Sequence, residues 1–323
     1  LEKKVGNLYW SGDARMRYTA SSLKDKKDAY DGRIRLNVKG QVNDATYVQG
    51  QFVNNMNFKD EASSNTTMAQ IYVNHNFNKN VAVRLGRQPI AFGNQGGWLY
   101  NGLEGYDGAQ ASYNNGKLAL TTGFGQLNAS DLTDDTDADG NVTSYGVTGT
   151  DMYFAKGAYD FGFAKLGADY VKFQGNTNST DHYFAGQELY GINLNIPVQK
   201  FNVFGEYWKN TTAEEYDTAW NAGLSYGKAD WKKAGTWDLS VAYNDVDYGV
   251  YFGGGTWHND MLKNLNNSKY ILADNLTFWT AIANVTLQKN VQLHAEYAFA
   301  ADAEGTDGVD PDDSWTVSLN YKF

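Results

Sequence analysis

The last ten residues of the chain, SWTVSLNYKF, alternate strictly between large apolar and polar side chains. Successive side chains of a strand point to opposite faces, so this stretch is predicted to be a strand with one apolar face and one polar face. The same period of two recurs over residues 8–19, 30–39, 237–244 and 291–299. A helix would show a period of 3.6 instead, so the pattern predicts an all-β chain.

Segments with this alternation predict about sixteen strands of roughly ten residues, the length with which a tilted strand crosses a bilayer. They lie near residues 7–18, 30–41, 45–57, 66–78, 80–88, 105–114, 117–126, 150–159, 161–173, 182–196, 199–209, 217–227, 235–247, 275–288, 291–300 and 314–323.

The links between these segments alternate between short and long. Residues 43–44, 78–80 and 289–290 form short links, whereas 127–149 and 248–274 are long. In an up-and-down sheet every second link lies at the same end, so one end carries tight turns and the other long loops. We therefore predict a transmembrane antiparallel up-and-down β-barrel with long extracellular loops and short periplasmic turns.

A soluble β-sandwich is the alternative fold, and it would bury an aliphatic core between two sheets. Here the apolar face is instead rich in Trp and Tyr near strand ends, as in the aromatic belts of membrane barrels. Aromatic residues make up 15% of the chain, with 34 Gly and only 3 Pro, a composition that suits strands and turns. No apolar run reaches the roughly 18 residues of a membrane helix.

The net charge and the cysteine content exclude several kinds of partner and site. The formal net charge is -10, so the chain has no net basic footprint and no nucleic acid partner is expected. There is no cysteine, which removes disulfides and thiolate metal sites.

Several motifs carry a resemblance to a known family. GRQPIAFGNQGGW (86–98) followed by EGYDGAQASY (104–113) resembles the strand, third loop and strand of general porins. With YWSGDARMRY (9–18), the chain is similar to the barrel domain of the tether porins (OmpM type) of diderm Firmicutes (Negativicutes), without their surface-layer-homology domain. The resemblance implies a homotrimer in the bacterial outer membrane, in contact with lipid and lipopolysaccharide. It also implies that the barrel-assembly machinery reads the last strand, with Phe323 and Tyr321 as its signal.

One barrel domain is expected over residues 7–323, with the loop 89–104 folded into the pore. Residues 1–6 are expected to be a lead-in that ends an upstream helix. A further long link, 248–274, is expected to place Met261, Leu262 and Leu265 on the barrel mouth.

A ladder of basic side chains is predicted to line the pore. Strand parity places six basic residues on the polar, lumen-facing side, namely Arg15, Arg17, Arg33, Arg35, Lys39 and Arg84. Glu104 and Asp107 are the expected acidic groups of the constriction, and the resulting transverse field would orient dipolar solutes. The alternative is that the arginines only pair with Asp13 and Asp31 to satisfy a polar lumen.

Other chemistry has little support in the sequence. Asp135, Asp137 and Asp139 fit the opening of a calcium loop, but Gly146 replaces the bidentate Glu, so a solvated acidic loop is the alternative to a weak Ca²⁺ site. No other cofactor is expected. His294 and Glu296 share one face, yet no nucleophilic serine accompanies them, and no enzyme activity is predicted.

The predicted function is a water-filled channel for passive diffusion of small hydrophilic solutes and ions. One alternative is a channel specific for a sugar or peptide, in which Phe163, Phe204, Trp208 and Phe278 stack on the substrate. Another is a barrel that mainly anchors the envelope.

Overall fold

Sixteen antiparallel strands close into a single barrel in the computed structural model, which describes residues 3–24, 26–59, 64–93, 98–128, 135–136, 142–144, 149–175, 186–254, 259–265, 273–305 and 309–323. The strands are β1 (Leu8–Ala20), β2 (Ala29–Gln41), β3 (Thr46–Asn57), β4 (Ser64–Asn76), β5 (Val81–Phe92), β6 (Tyr100–Asn114), β7 (Leu118–Leu127), β8 (Asp151–Asp160), β9 (Lys165–Gly175), β10 (Glu188–Val198), β11 (Phe201–Asn210), β12 (Thr218–Gly227), β13 (Trp237–Asp247), β14 (Asn275–Gln288), β15 (Val291–Glu304) and β16 (Ser314–Lys322). Each strand pairs with its neighbours in the chain, and β16 pairs with β1.

The predicted strand number and the alternation of short and long links are confirmed. The largest difference lies at β5 and β6, which extend to Phe92 and back to Tyr100, beyond the predicted ends at 88 and 105. A bulge between Gln88 and Ile90 lets the two strands continue as a hairpin. Much of the expected loop 89–104 is therefore strand.

The first and last strands close the barrel through a regular register that runs from Trp315 opposite Ala20 to Lys322 opposite Asp13. The backbones of Gly12 and Phe323 exchange two hydrogen bonds of 2.8 and 3.0 Å. The ring of Phe323 lies over Gly12, where an added Cβ would come within 2.5 Å of the ring. Closure satisfies the backbone groups that an open edge would expose.

Residues 3–5 differ from the expected helix end. Lys3–Val5 is a short strand that pairs with β1, with Lys3 opposite Trp10.

The outer face of the barrel is apolar and carries clustered aromatic rings. Mid-strand side chains such as Ile192 and Leu224 are about half exposed, at 50% and 47%. Trp220, Tyr243 and Trp279 contact one another in sequence across strands, with ring centroids 5.4 and 5.3 Å apart. Such an outer surface matches a bilayer better than water. Among the described residues, no helix is long and apolar enough to span a membrane.

A hydrophobic inner core packs inside the barrel. The ring of Phe92 contacts those of Phe154, Trp208 and Phe252 at centroid distances of 6.0 to 6.4 Å. These residues come from β5, β8, β11 and the β13–β14 link, so they meet only across the interior. This contact fixes which strand parity faces the lumen.

Candidate functional site: the lumen wall and its constriction

Four arginines on β1 and β2 share two carboxylates on the lumen wall. Arg17 Nε lies 2.8 Å from Asp31 Oδ2, and an Arg15 guanidinium nitrogen lies 3.5 Å from Asp31 Oδ1. Two further arginines surround Asp13 in the same way, at 2.8 Å for Arg35 and 3.5 Å for Arg33. Four positive and two negative charges leave an excess of two positive charges on this wall.

Pairing with Asp13 and Asp31 thus occurs, but it compensates only half of the arginine charge. Arg15 and Arg33 lie directly opposite each other in the register. Their Nε atoms are buried and make no hydrogen bond to any residue that the structure describes. A buried N–H without an acceptor is costly, so these groups favour water or an anion beside them.

Lys39 and Arg84 continue the basic wall toward the short-turn end. The Lys39 amine lies 4.4 Å from the centre of the Tyr47 ring, and the Arg84 guanidinium lies 4.6 Å from that of Tyr72. Arg84 Nε also donates to Asn74 Oδ1 at 3.4 Å. The six basic residues of the predicted ladder therefore face the lumen on β1, β2 and β5.

Asp107 does not face the pore, so its prediction as a constriction residue was wrong. It lies inside β6, not in a loop, and its parity turns it to the outer face. There it forms a bidentate ion pair with Arg87, with both contacts at 2.8 Å and the two side chains 42% and 36% exposed. Glu104 is half-buried and accepts a hydrogen bond from Thr67 at 3.4 Å.

The tip of the β5–β6 hairpin, residues 90–93 and 98–100, enters the interior and contacts the wall at β8 and β9. The Gly93 amide donates to Asp169 Oδ2 at 3.0 Å, and the Lys156 amine donates to the Ala91 carbonyl. Lys156 lies 4.0 Å from Asp169, which is only 7% exposed. These contacts fix the hairpin tip to β8 and β9.

Glu206 completes the seat of the hairpin tip. Gly93 has a φ of +89°, and a Cβ on it would lie 2.3 Å from Glu206 Oε1. The Trp208 indole donates to the same oxygen at 2.9 Å, and Glu206 is 5% exposed. Asp169 and Glu206 therefore lie on β9 and β11, about half the circumference away from the arginines.

The sequence prediction missed these two carboxylates. The signal was present, because both alternate with outward-facing aromatic residues such as Tyr170 and Tyr207 and so have lumen parity.

A second segment, from the β13–β14 link, also enters the barrel. Val250, Tyr251 and Phe252 are fully buried, and Phe252 stacks on Tyr100 at 5.1 Å. The short 3₁₀ helix Met261–Asn264 follows, and its apolar residues are buried. Met261, Leu262 and Leu265 thus pack inward, as expected.

Asp260 fastens this second segment to the start of the barrel. Its carboxylate accepts hydrogen bonds from the Ser21 hydroxyl at 2.7 Å and from the Ser22 amide and hydroxyl at 2.8 Å each. Lys26 lies 3.6 Å away. Burial raises the pKa of Asp260, but these hydrogen bonds and the lysine outweigh it and hold the pKa below the ordinary 3.8.

The inner core packs against most of the barrel wall and leaves the wall of β1 to β4 and β16 uncovered. Within the described part of the chain, its members come from β5 to β15 and the two inward segments, and none comes from β1 to β4 or β16. The remaining passage therefore runs along the wall that carries the arginines.

Comparison with solved structures identifies the architecture. The high-pH structure of Pseudomonas putida OprB aligns over 98% of this chain and 94% of its own, with a TM-score of 0.64 and 10% sequence identity. A triple mutant of Rhodopseudomonas blastica porin aligns over 98% of this chain and 100% of its own, with a TM-score of 0.60 and 10% identity. The barrel has a porin fold. No family model and no curated protein matches the sequence.

The predicted calcium residues of this porin barrel fall mostly outside the described residues. Asp137 and Asp139 are among those not described, and only the backbone of Asp135 is, in a two-residue strand. Elsewhere in the described chain, no cluster of three or more His, Asp or Glu side chains could hold a metal ion.

The aromatic residues proposed to stack on a substrate are mostly placed otherwise. Phe163 lies in the turn between β8 and β9 and is 72% exposed. Trp208 and Phe278 are fully buried in the inner core. Phe204 is the member of this set that borders a lumen cavity.

Proposed function

We propose that this protein is a porin of a bacterial outer membrane that conducts small hydrophilic solutes and ions by passive diffusion. The observation that carries the proposal is the contrast between the two faces of one closed barrel. The outer face is apolar with aromatic clusters, and the lumen carries charged wall residues around a constriction. A barrel of this strand number leaves an aqueous channel where side chains do not fill it.

We further propose that the ladder acts electrostatically on the solute. The excess positive charge on β1 and β2 faces Asp169 and Glu206 across the interior, so a solute in the passage experiences a transverse field. Glu104 remains a candidate contributor to its acidic side.

The assembly proposals follow from the resemblance to general porins. We propose a homotrimer in the outer membrane, related to the tether porins, with Phe323 and Tyr321 read during insertion. Phe323 is 46% exposed on the outer face, where a partner can reach it.

Liposome swelling tests the diffusion proposal. Proteoliposomes in isotonic solutions of neutral sugars should swell at rates that fall steadily with solute size, because free diffusion through a constriction ranks solutes by their dimensions. Swelling no faster than in protein-free liposomes would contradict the proposal.

A further inference from the structure

A cavity of about 360 Å³ lies in the lumen between the hairpin tip and the short-turn end. Its lining comes from β11 to β15, with Trp98 of the hairpin tip above it. Phe204 and Ile282 supply apolar surface on the wall. Its size falls within the range of small-molecule sites, and its lining combines apolar and polar groups as such sites do.

Polar groups in this cavity lack partners. Asn221 is 3% exposed, and its amide oxygen is buried without a hydrogen bond. Such an acceptor needs a donor from something that enters the cavity. The hydroxyls of Ser225 and Ser240 also line it and make no hydrogen bond within the part of the chain that the structure describes. The cavity thus presents one buried acceptor and two hydroxyls on adjacent strands.

The acidic groups of the cavity are already engaged. Asp238 accepts from the Asn284 amide at 2.7 Å and from the Ala229 backbone at 2.9 Å. On the other side of Asn284, His294 lies 2.7 Å from its Oδ1.

Glu296 is engaged in the same network. It lies 2.9 Å from His294 Nε2 and accepts two hydrogen bonds from Asn259, at 3.0 and 2.9 Å. Lys228, just beyond the end of β12, also borders the cavity, but it is exposed to solvent. With both carboxylates engaged, the buried groups that remain available to a ligand are uncharged, which favours a neutral ligand over an ion.

We propose that this cavity is a binding site for a neutral polyhydroxylated solute of the size of a monosaccharide. A hydroxyl of the ligand donates to Asn221, others exchange hydrogen bonds with Ser225 and Ser240, and an apolar ring face contacts Phe204. The proposal rests on the proposed diffusion function and extends it, since it gives one class of permeating solute a binding site between the constriction and the short-turn end.

Glucose binding to the purified protein in a detergent without a sugar head group tests the site directly. Saturation-transfer NMR or calorimetry should show saturable binding to the unmodified protein. Asn221→Leu should weaken it about tenfold, the loss expected for one hydrogen bond of ordinary strength. The milder Ser240→Ala should weaken it in the same direction.

Asn202→Leu is the matched control, because Asn202 also has lumen parity on β11 but donates to Asn195 at 3.3 Å and does not line the cavity. It should bind glucose as the unmodified protein does. Absence of saturable binding, or equal affinity in N221L, would overturn the proposal.

Single-channel current in sugar-free salt separates this proposal from the diffusion function. A protein that binds glucose but carries no current would contradict the channel and leave the site standing. A protein that conducts but binds no glucose would contradict the binding site and leave the channel function standing.

Discussion

Gly93 shows how one residue sets the width of the passage. Its positive φ and the space beside Glu206 both require a residue without a Cβ. The hairpin tip reaches β9 and β11 because its backbone can approach the buried carboxylates of Asp169 and Glu206. The constriction therefore depends on the missing Cβ of Gly93 as well as on the charged residues around it.

Gly93→Ala should release the hairpin tip and raise single-channel conductance, because the new methyl group would collide with Glu206. Left-handed backbone at alanine adds ~1–2 kcal/mol of strain. Single-channel recording of the variant checks the result. Gly116→Ala is the control, since Gly116 has a φ of +93° in a short turn and no atom within 4 Å of the added Cβ. Equal conductance changes in both variants would show that backbone strain alone is responsible.

Parity explains both the success and the failure of sequence reasoning at this scale. The arginines lie inside long alternating strands, where the period of two decides which face a side chain takes. Asp107 was assigned to the constriction because it follows the loop 89–104 closely, although the predicted strand 105–114 contains it. Its partner Arg87 has the outward parity of β5, and the two residues form a pair across β5 and β6.

Among the elements, the two inward segments determine the shape of the lumen. The sequence indicated the first through its resemblance to a porin third loop. It gave no comparable sign that Val250, Tyr251 and Phe252 turn inward, because a short apolar run in a long link has no period and its burial depends on distant rings. Only the assembled barrel brings Tyr100 and Phe173 to Phe252.

Asp260→Asn should lower the free energy of local opening of the second inward segment by about 1–2 kcal/mol, since a charged acceptor is lost at the Ser21–Ser22 anchor. The pKa of Asp260 is held below 3.8 in the folded protein, so its contribution is present above that pH and is lost as the pH falls through the lowered pKa. Hydrogen exchange over residues 259–265, corrected for intrinsic rates, should show acid-induced opening in the unmodified protein and a weaker pH dependence in the variant.

Asp312→Asn provides the comparison for this experiment. Asp312 lies beside the same anchor, with its amide bonded to the Ser22 carbonyl at 3.1 Å, but its side chain is exposed. It should leave the protection of 259–265 unchanged. An identical pH profile in D260N and the unmodified protein would refute the anchoring role of Asp260.

The molecule as a whole was largely predictable because a membrane barrel repeats one local rule. Alternation gives each strand two faces, and the alternating link lengths give two different ends. What the sequence did not reveal is how the lumen is filled. The inner core depends on contacts between strands far apart in the chain, for which one sequence carries no periodic signal. Parity places Asp169 and Glu206 in the lumen, but it does not show that they meet the hairpin tip.

The position of the inner core makes the distribution of charge around the passage uneven. The residues of the inner core come from β5 to β15, so the arginines of β1 and β2 lie on the wall that the core does not cover. Ion selectivity should follow the charge on that wall more than the net charge of -10 of the chain.

The reversal potential in a tenfold gradient of potassium chloride tests this account most directly. Replacing Arg15, Arg17, Arg33 and Arg35 by serine changes the cluster that they form with Asp13 and Asp31 from an excess of two positive to two negative charges. We predict a shift toward the potassium limit of ~59 mV, and no shift for Arg87→Ser, which changes a charge on the outer face. An unchanged reversal potential in the fourfold variant, or an equal shift in R87S, would contradict the account.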